Sequence, residues 1–151
     1  MNTRKQVAAL AAIVSLVGGA VAASPAAHAA SVSKTQTKYI SGTSLSKNTK
    51  ISGTYRYYVT GYTGNGEPIY GGSFSNTGAK DAIKGNGLEA VFALSYYTWS
   101  GGAWHASSRH AVKVNRFDSW TFKNKKRVYG YACDRKVGTK KLINCKAWTL
   151  K

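Results

Sequence analysis

The sequence predicts an all-β protein, a small antiparallel β-sandwich or barrel preceded by a cleaved signal peptide. In the segment TYRYYVTGY at residues 54–62, aromatic and β-branched residues alternate with polar ones at period two. That pattern is typical of a half-buried strand. Several further short apolar segments follow, separated by glycine-rich turns. Such a succession favours an antiparallel sandwich or barrel over any helical fold.

The first 29 residues have the pattern of a secretory signal peptide. Arg4 and Lys5 give a positive start, and an apolar segment of 17 residues ends at Ala23. Small residues follow, with a cleavage site before Ala30. A membrane anchor is the alternative, but a spanning helix needs roughly 20 apolar residues. We therefore expect a secreted, extracellular mature chain without a transmembrane segment.

The mature chain has room for one hydrophobic core. Residues 30–50 form a polar N-terminal segment, which is either a flexible start or a weakly patterned edge strand, and residues 51–151 form a single β domain. The tetrapeptide ISGT occurs at residues 40–43 and again at 51–54. Two copies do not make a solenoid, so we interpret them as similar strand entries.

Turn signals divide the β domain into its elements. TGNGEP at residues 63–68 is a turn, and NTGAKDAIKGNG at 76–87 predicts one short helical turn, capped by Thr77 and ended by Gly85. The remaining strand segments are IYGGSF (69–74), LEAVFALSYYTW (88–99), WHASSRHAVKV (104–114), SWTF (119–122), RVYGYAC (127–133) and LINCKAWTL (142–150).

Side-chain parity sets the expected register of the hairpin over residues 88–114. The even positions of its first strand are apolar and form the core face, whereas the odd positions are more polar. A two-residue Gly101-Gly102 loop would place charged residues against that core face. A three-residue loop ending at Ala103 instead places Val112 opposite Phe92 and His110 opposite Leu94. We expect the three-residue loop because it separates core from surface.

On this register the outer face of the hairpin carries a stacking platform. Trp99 lies opposite His105, with Tyr97, Arg109 and Lys113 near by. Aromatic rings interleaved with cations bind sugars or nucleic-acid bases, so these five residues are candidate ligand-binding residues. Ordinary cross-strand packing of the two rings is the alternative.

The sequence offers little for catalysis. His105 and His110 are expected on opposite faces of one strand, which removes a two-histidine acid–base pair and a shared metal site. The chain has no GxSxG, HExxH, P-loop or Rossmann motif, and its five acids are scattered, whereas glycosidases need a carboxylate pair. We expect a monomer that is not an enzyme and has no cofactor and no metal.

Charge is the strongest signal in the composition. The chain has 22 lysines and arginines against five acids, and loss of the leader leaves a net charge near +15. Such a surface attracts a polyanion or an acidic surface, namely cell wall, nucleic acid or an acidic protein. A solubility device is the alternative.

The basic residues concentrate toward the C-terminus, in KNKKR at residues 123–127 and in the loop CDRKVGTKKLINC at 133–145. The candidate ligand-binding residues of this basic ribbon are Arg135, Lys136, Lys140 and Lys141. A solvated basic turn is the alternative.

Cys133 and Cys145 are expected to form a disulfide, since a cysteine pair in an oxidising compartment usually does. Two thiols without clustered histidines supply too few ligands for zinc. If the two cysteines pair, antiparallel alignment sets Tyr131 opposite Ala147 and Tyr129 opposite Thr149, and the loop turns near residues 138–139.

The leader and the ending YACDRKVGTKKLINCKAW (131–148), about 48 residues together, resemble small secreted proteins of actinobacteria. The resemblance implies secretion and a disulfide-closed β-hairpin, and it supplies no catalytic residues. The segment WHASSRHAVKV is similar to part of bacteriocins of the lactococcin type, which are shorter and lack cysteines. We expect a secreted cationic binding protein; the alternatives are an antibacterial, bacteriocin-like effector and a small secreted hydrolase or nuclease.

Overall fold

A computed structural model describes residues 33–149, which form seven β-strands and no helix. The strands are β1 (Gln36–Thr43), β2 (Thr49–Tyr62), β3 (Pro68–Asp81), β4 (Leu88–Ser100), β5 (Ala103–Val114), β6 (Phe117–Lys136) and β7 (Leu142–Thr149). The prediction of an all-β fold is confirmed. The expected signal peptide, residues 1–29, lies outside the described residues. Within them no helix is long and apolar enough to cross a membrane.

The strands form one antiparallel sheet in the order β1-β2-β3-β6-β4-β5, with β7 added beside β6. The long strand β6 belongs to two layers. Its first half, up to Lys125, pairs with β3, and its second half, from Lys125 onward, pairs with β4. The sheet folds over along β6 into a sandwich-like arrangement that does not close into a barrel.

Strand β6 bends at two residues whose backbone is left-handed. Asn124 has φ 52° and Arg127 has φ 51°, values that are uncommon for residues other than glycine. The pairing with β3 gains an extra β6 residue between Phe122 and Lys125, and the pairing with β4 gains one between Lys126 and Tyr129. Such bulges bend a strand and increase its twist. We call residues 124–127 the corner of β6.

The core lies between the two layers and is largely aromatic. Tyr55, Phe74 and Phe92 are buried, and the ring of Phe74 stacks on Trp120 at a centroid distance of 4.6 Å. The two ISGT copies pair with each other, because Ile40 lies opposite Gly53 and Ile51 opposite Gly42. Residues 36–43 are thus an edge strand whose isoleucine joins the core.

The prediction of a helical turn at residues 76–87 is wrong, because β3 continues to Asp81 and non-helical turns follow it. Gly78 lies between Ser52 of β2 and Phe117 of β6. A Cβ atom at Gly78 would lie 1.9 Å from the Arg116 carbonyl oxygen. Gly78 therefore permits two neighbouring strands to approach closely.

The expected register of the β4–β5 hairpin is wrong at the tip and at the base. The loop is the two-residue Gly101-Gly102, with Trp99 opposite Trp104. Bulges in β5 then shift the register, so that His110 does lie opposite Leu94, as predicted, but Lys113 lies opposite Phe92. The bulge at residues 108–109 removes the objection to a two-residue loop for Arg109, which no longer lies opposite Leu94. Lys113 does lie against the core face, where its ammonium pairs with Asp118.

The odd-numbered residues of β4, which were expected to face solvent, are buried near the start of the strand. Val91 and Ala93 are buried and pack with Cys133 in a second, smaller cluster. Leu142 and Cys145 of β7 pack against this cluster. Apolar packing therefore covers both faces of β4 near its start.

The C-terminal hairpin has the predicted connections. Cys133 and Cys145 form a disulfide. Tyr131 lies opposite Ala147 and Tyr129 opposite Thr149, as expected. The turn contains Gly138 at φ 78°, a conformation that favours glycine.

A buried carboxylate ties the β1–β2 turn to this hairpin. Asp134 is 0% exposed. Its side chain accepts hydrogen bonds from the Thr49 hydroxyl at 2.9 Å, from the Asn144 amide at 2.8 Å and from the Ser46 hydroxyl. Burial acts most strongly and would raise the pKa of Asp134, but the hydrogen bonds together hold that pKa below its ordinary value.

Candidate binding site

The structure places three of the four predicted ribbon residues at an exposed turn. Lys136, Lys140 and Lys141 are exposed around the turn between β6 and β7. Arg135 is different, because its guanidinium forms an ion pair with the Glu89 carboxylate at 2.7 Å and is mostly buried. Arg135 is therefore held against β4 and contributes less to the charge at the tip.

The predicted Trp99–His105 platform does not form. Trp99 lies opposite Trp104, whereas His105 lies opposite Thr98 and so points to the other side of the hairpin. His105 is exposed, and its Nε2 lies 3.1 Å from the Ser100 carbonyl oxygen. The two-residue loop causes this change, because it moves every residue of β5 near the tip to the opposite face.

The two histidines also differ from expectation. His105 and His110 are paired with Thr98 and Leu94, which share one face of β4. A bulge at residues 108–109 brings His110 to the face of His105, so the predicted opposite orientation is wrong. The two paired positions are four residues apart along β4, or about 13 Å, which is too far for a shared proton transfer.

Arg109 and Lys113, which were predicted to lie beside Trp99, contact other residues. The Arg109 guanidinium lies 4.1 Å from the ring centroid of Tyr131. The Lys113 ammonium pairs with Asp118 at 2.5 Å and lies 5.0 Å from the Trp120 ring centroid. Tyr97 instead faces the corner of β6, with Lys126 Nζ 5.5 Å from its ring centroid.

A cleft of about 600 Å³ forms where the β2–β3 turn and the β4–β5 tip meet the corner of β6. Two aromatic side chains are notably exposed there, Tyr62 at 67% and Trp99 at 53%. We call this the hairpin-tip cleft. Its lining residues are Tyr62, Thr63, Gly64, Asn65, Ile69, Trp99, Trp104, Asn124 and Lys126.

The β2–β3 turn is held in shape by Thr63. Its N–H donates to the Glu67 carbonyl at 2.8 Å, and its hydroxyl oxygen accepts from the Glu67 N–H at 3.0 Å. The Thr63 hydroxyl also donates to Oδ1 of Asn65. These bonds fix Asn65 at the rim of the cleft with its NH₂ group left to donate.

Glu67 fastens this turn to the corner of β6. Its carboxylate accepts from Lys126 Nζ at 2.7 Å and from Arg127 Nε at 2.9 Å. Hydrogen bonding to Lys126, and then to Arg127, lowers the pKa of Glu67 below its ordinary value. Lys126 Nζ lies 4.9 Å from the Trp104 ring centroid, so one ion-pair network connects the three elements that form the cleft.

The cleft is suited to stacking and hydrogen bonding rather than to proton transfer. Its lining side chains are aromatic, aliphatic, hydroxyl and amide groups with one lysine. Within residues 33–149 no three His, Cys, Asp or Glu side chains cluster as a metal site would require. The geometry supports a binding site for a ring-shaped ligand with polar substituents.

Sequence reasoning missed most of this cleft. Of the residues that line the cleft it selected Trp99 but not Trp104, Asn124 or Lys126. The sequence does show an aromatic residue, Tyr62 or Trp99, just before each of two glycine-containing turns. It does not show that these two turns, the β2–β3 turn and the β4–β5 tip, lie next to each other in the fold.

Comparisons with protein-family models, with curated proteins and with solved structures find no match for this chain. The resemblance to small secreted actinobacterial proteins therefore stays an expectation.

Proposed function

We propose that this protein is a secreted, monomeric binding protein without catalytic activity, and that it binds an anionic polymer through its basic surface. One observation carries the proposal. Glu67, Glu89 and Asp118 are held in ion pairs, and Asp134 is buried. The few carboxylates thus neutralise only a small part of the lysines and arginines, which number 22 in the full chain and 20 without Arg4 and Lys5 of the leader.

A surface of this kind produces a positive field that attracts polyanions and speeds their association. Lys136, Lys140 and Lys141 are exposed on a turn that the disulfide-closed hairpin presents to solvent. Binding to such a cluster is driven largely by the release of counterions from the polymer, so it weakens as salt rises.

Secretion is part of the proposal, and the disulfide supports it because such bonds persist in oxidising compartments. Protein purified from the culture medium of the source cells is expected to start near Ala30 and to carry no free thiol. Intact mass spectrometry under non-reducing and reducing conditions measures both properties. A retained leader, or a mass that does not rise by two hydrogens on reduction, would contradict this expectation.

The ribbon lysines are expected to set the salt dependence of polymer binding. A variant with Lys136→Gln, Lys140→Gln and Lys141→Gln should bind a 20-base-pair DNA duplex with a flatter plot of log affinity against log salt. Each lost phosphate contact reduces the slope by about 0.9, so three lost contacts reduce it by between 2 and 3. Affinity is measured by fluorescence anisotropy at four or more salt concentrations. Arg135 is left unchanged because it holds Glu89.

The matched control removes the same charge elsewhere, with Lys38→Gln, Lys50→Gln and Lys80→Gln on exposed positions of β1 to β3. Its slope should stay close to that of the wild type. Equal slopes for the two triple variants would show that the ribbon is not the binding element. Absence of binding by the wild type at 20 mM salt to DNA and to heparin would refute the proposed function.

A further inference from the structure

We propose that the hairpin-tip cleft binds acetamido-sugar rings of a polysaccharide, stacked on Trp99 and hydrogen-bonded to Asn65 and Asn124. This inference rests on the proposed function, because it takes the anionic polymer proposed above to be a polysaccharide that contains acetamido sugars. The cleft itself recognises the neutral part of that glycan, so it can be tested separately from the basic ribbon.

The aromatic walls supply the stacking surface. The ring centroids of Trp99 and Trp104 are 5.5 Å apart, and their planes are inclined by 65°, so the two indoles present faces in different directions. Trp99 is more than half exposed and is positioned on the rim of a concavity. The apolar C–H face of a pyranose ring packs well on such a surface, while its hydroxyl groups stay at the edge.

The polar groups of the cleft are neutral amides. Thr63 donates to Oδ1 of Asn65, and within residues 33–149 the Asn65 NH₂ group has no hydrogen-bond partner. The Asn124 side chain makes no hydrogen bond to another residue in the part of the chain that the structure describes. Two amides can donate to an acetamido carbonyl and accept from hydroxyls, which is the pattern that an acetamido sugar offers.

The neighbouring cations argue for a sugar ring rather than a nucleotide base. Single-stranded nucleic-acid sites combine stacking rings with cations that follow the phosphates. Here Lys126 and Arg127 are both bound by Glu67.

Lys125 is directed to the other side of the hairpin, where its ammonium donates to Thr98 Oγ1 at 2.8 Å and lies 4.4 Å from the Tyr96 ring centroid. The cations beside the rings are therefore engaged within the protein, and this leaves an uncharged ring as the better ligand.

The test uses the uncharged tetramer of N-acetylglucosamine in 0.5 M NaCl, where charge attraction is screened. Isothermal titration calorimetry of the full mature chain should show saturable binding, a readout that does not depend on Trp99. Trp99→Ala should weaken binding at least tenfold. Asn124→Gly, which permits the φ of 52° while removing the amide, should weaken it severalfold. The melt of Asn124→Gly should match the wild type, since Asn124 is exposed. Trp99→Ala loses its packing on Trp104, so its melting temperature should fall by only a few degrees and leave the protein folded at the assay temperature.

The triple ribbon variant is the matched control, and its affinity for the tetramer should equal that of the wild type. Failure of the tetramer to bind the wild type, or equal binding by wild type and Trp99→Ala, would overturn the proposal. A saturable response to a thymidine decanucleotide without a response to the tetramer would also overturn it, in favour of nucleic acid. Absence of polyanion binding by the wild type, with its tetramer binding intact, would refute the proposed function alone.

Discussion

Replacement of Asp134 by Asn is expected to lower the free energy of unfolding by about 3 kcal/mol. The carboxylate is fully buried and accepts hydrogen bonds from Thr49, Asn144 and Ser46. An amide of the same shape would point an NH₂ group at donors. A buried donor left without an acceptor loses its hydration without compensation.

The measurement is urea unfolding followed by tryptophan fluorescence at pH 7. Asp118→Asn is the matched control, because the Asp118 side chain is 49% exposed, whereas that of its partner Lys113 is 12% exposed. An Asn at this position can still accept from the Lys113 ammonium, so the control should lose clearly less stability than Asp134→Asn. Equal unfolding midpoints for the Asp134 and Asp118 variants would contradict this assignment of the buried carboxylate.

The same carboxylate should make wild-type stability depend on pH. The pKa of Asp134 is lower in the folded protein than in the unfolded chain, where it is about 4. Its stabilising contribution is therefore complete above the unfolded pKa and is lost as pH falls through the folded pKa. The stability difference between the wild type and Asp134→Asn should narrow below about pH 4.

The sequence predicts the fold class because period-two alternation is preserved over stretches such as residues 49–56 of β2, where buried and exposed positions alternate for most of the segment. It predicts the C-terminal hairpin because the disulfide fixes one register. It does not predict β6, where SWTF and RVYGYAC read as two strands separated by the polar KNKKR. In the structure, left-handed backbone at Asn124 and Arg127 carries one continuous strand around the corner. A polar segment such as KNKKR occurs equally at a bend within one strand and in a loop between two strands. The sequence therefore does not distinguish one bent strand from two separate strands.

The register predicted for the β4–β5 hairpin is wrong for a related reason. Parity arguments assume a constant register, but bulges in β5 change it between Ser107 and His110 and again near Val112. A one-residue change moves every following side chain to the other face. The two-residue loop is why Trp99 meets Trp104, and the bulge at residues 108–109 is why Arg109 reaches Tyr131.

The cleft depends on contacts that are distant in the chain. Glu67 meets Lys126 and Arg127 across 59 and 60 positions. Exposure of the ribbon lysines could be predicted, because a turn closed by two cysteines offers them no surface to cover. The neutralisation of Arg135 by Glu89 could not, since it requires the pairing of β4 with β6.

Removal of the disulfide by Cys133→Ala and Cys145→Ala is expected to lower the free energy of unfolding by roughly 3 kcal/mol. Opening the loop over residues 133–145 restores conformational freedom to the unfolded chain. Cys133 is also fully buried against Val91 and Ala93, so loss of its sulfur leaves a small cavity. The measurement is again urea unfolding, and unchanged stability in the cysteine-free variant would contradict the expectation.

The disulfide should be coupled to Asp134, because the bonded cysteines adjoin Asp134 and Asn144, which hydrogen-bond to each other. Without the disulfide, the Asn144 amide is held less firmly, so Asp134→Asn should cost about 1 kcal/mol less in the cysteine-free background than in the wild type. Asp118→Asn, remote from the hairpin, should cost the same in both backgrounds. Additive effects for Asp134 would show that β-pairing alone positions Asn144. The disulfide would then act only on the unfolded chain.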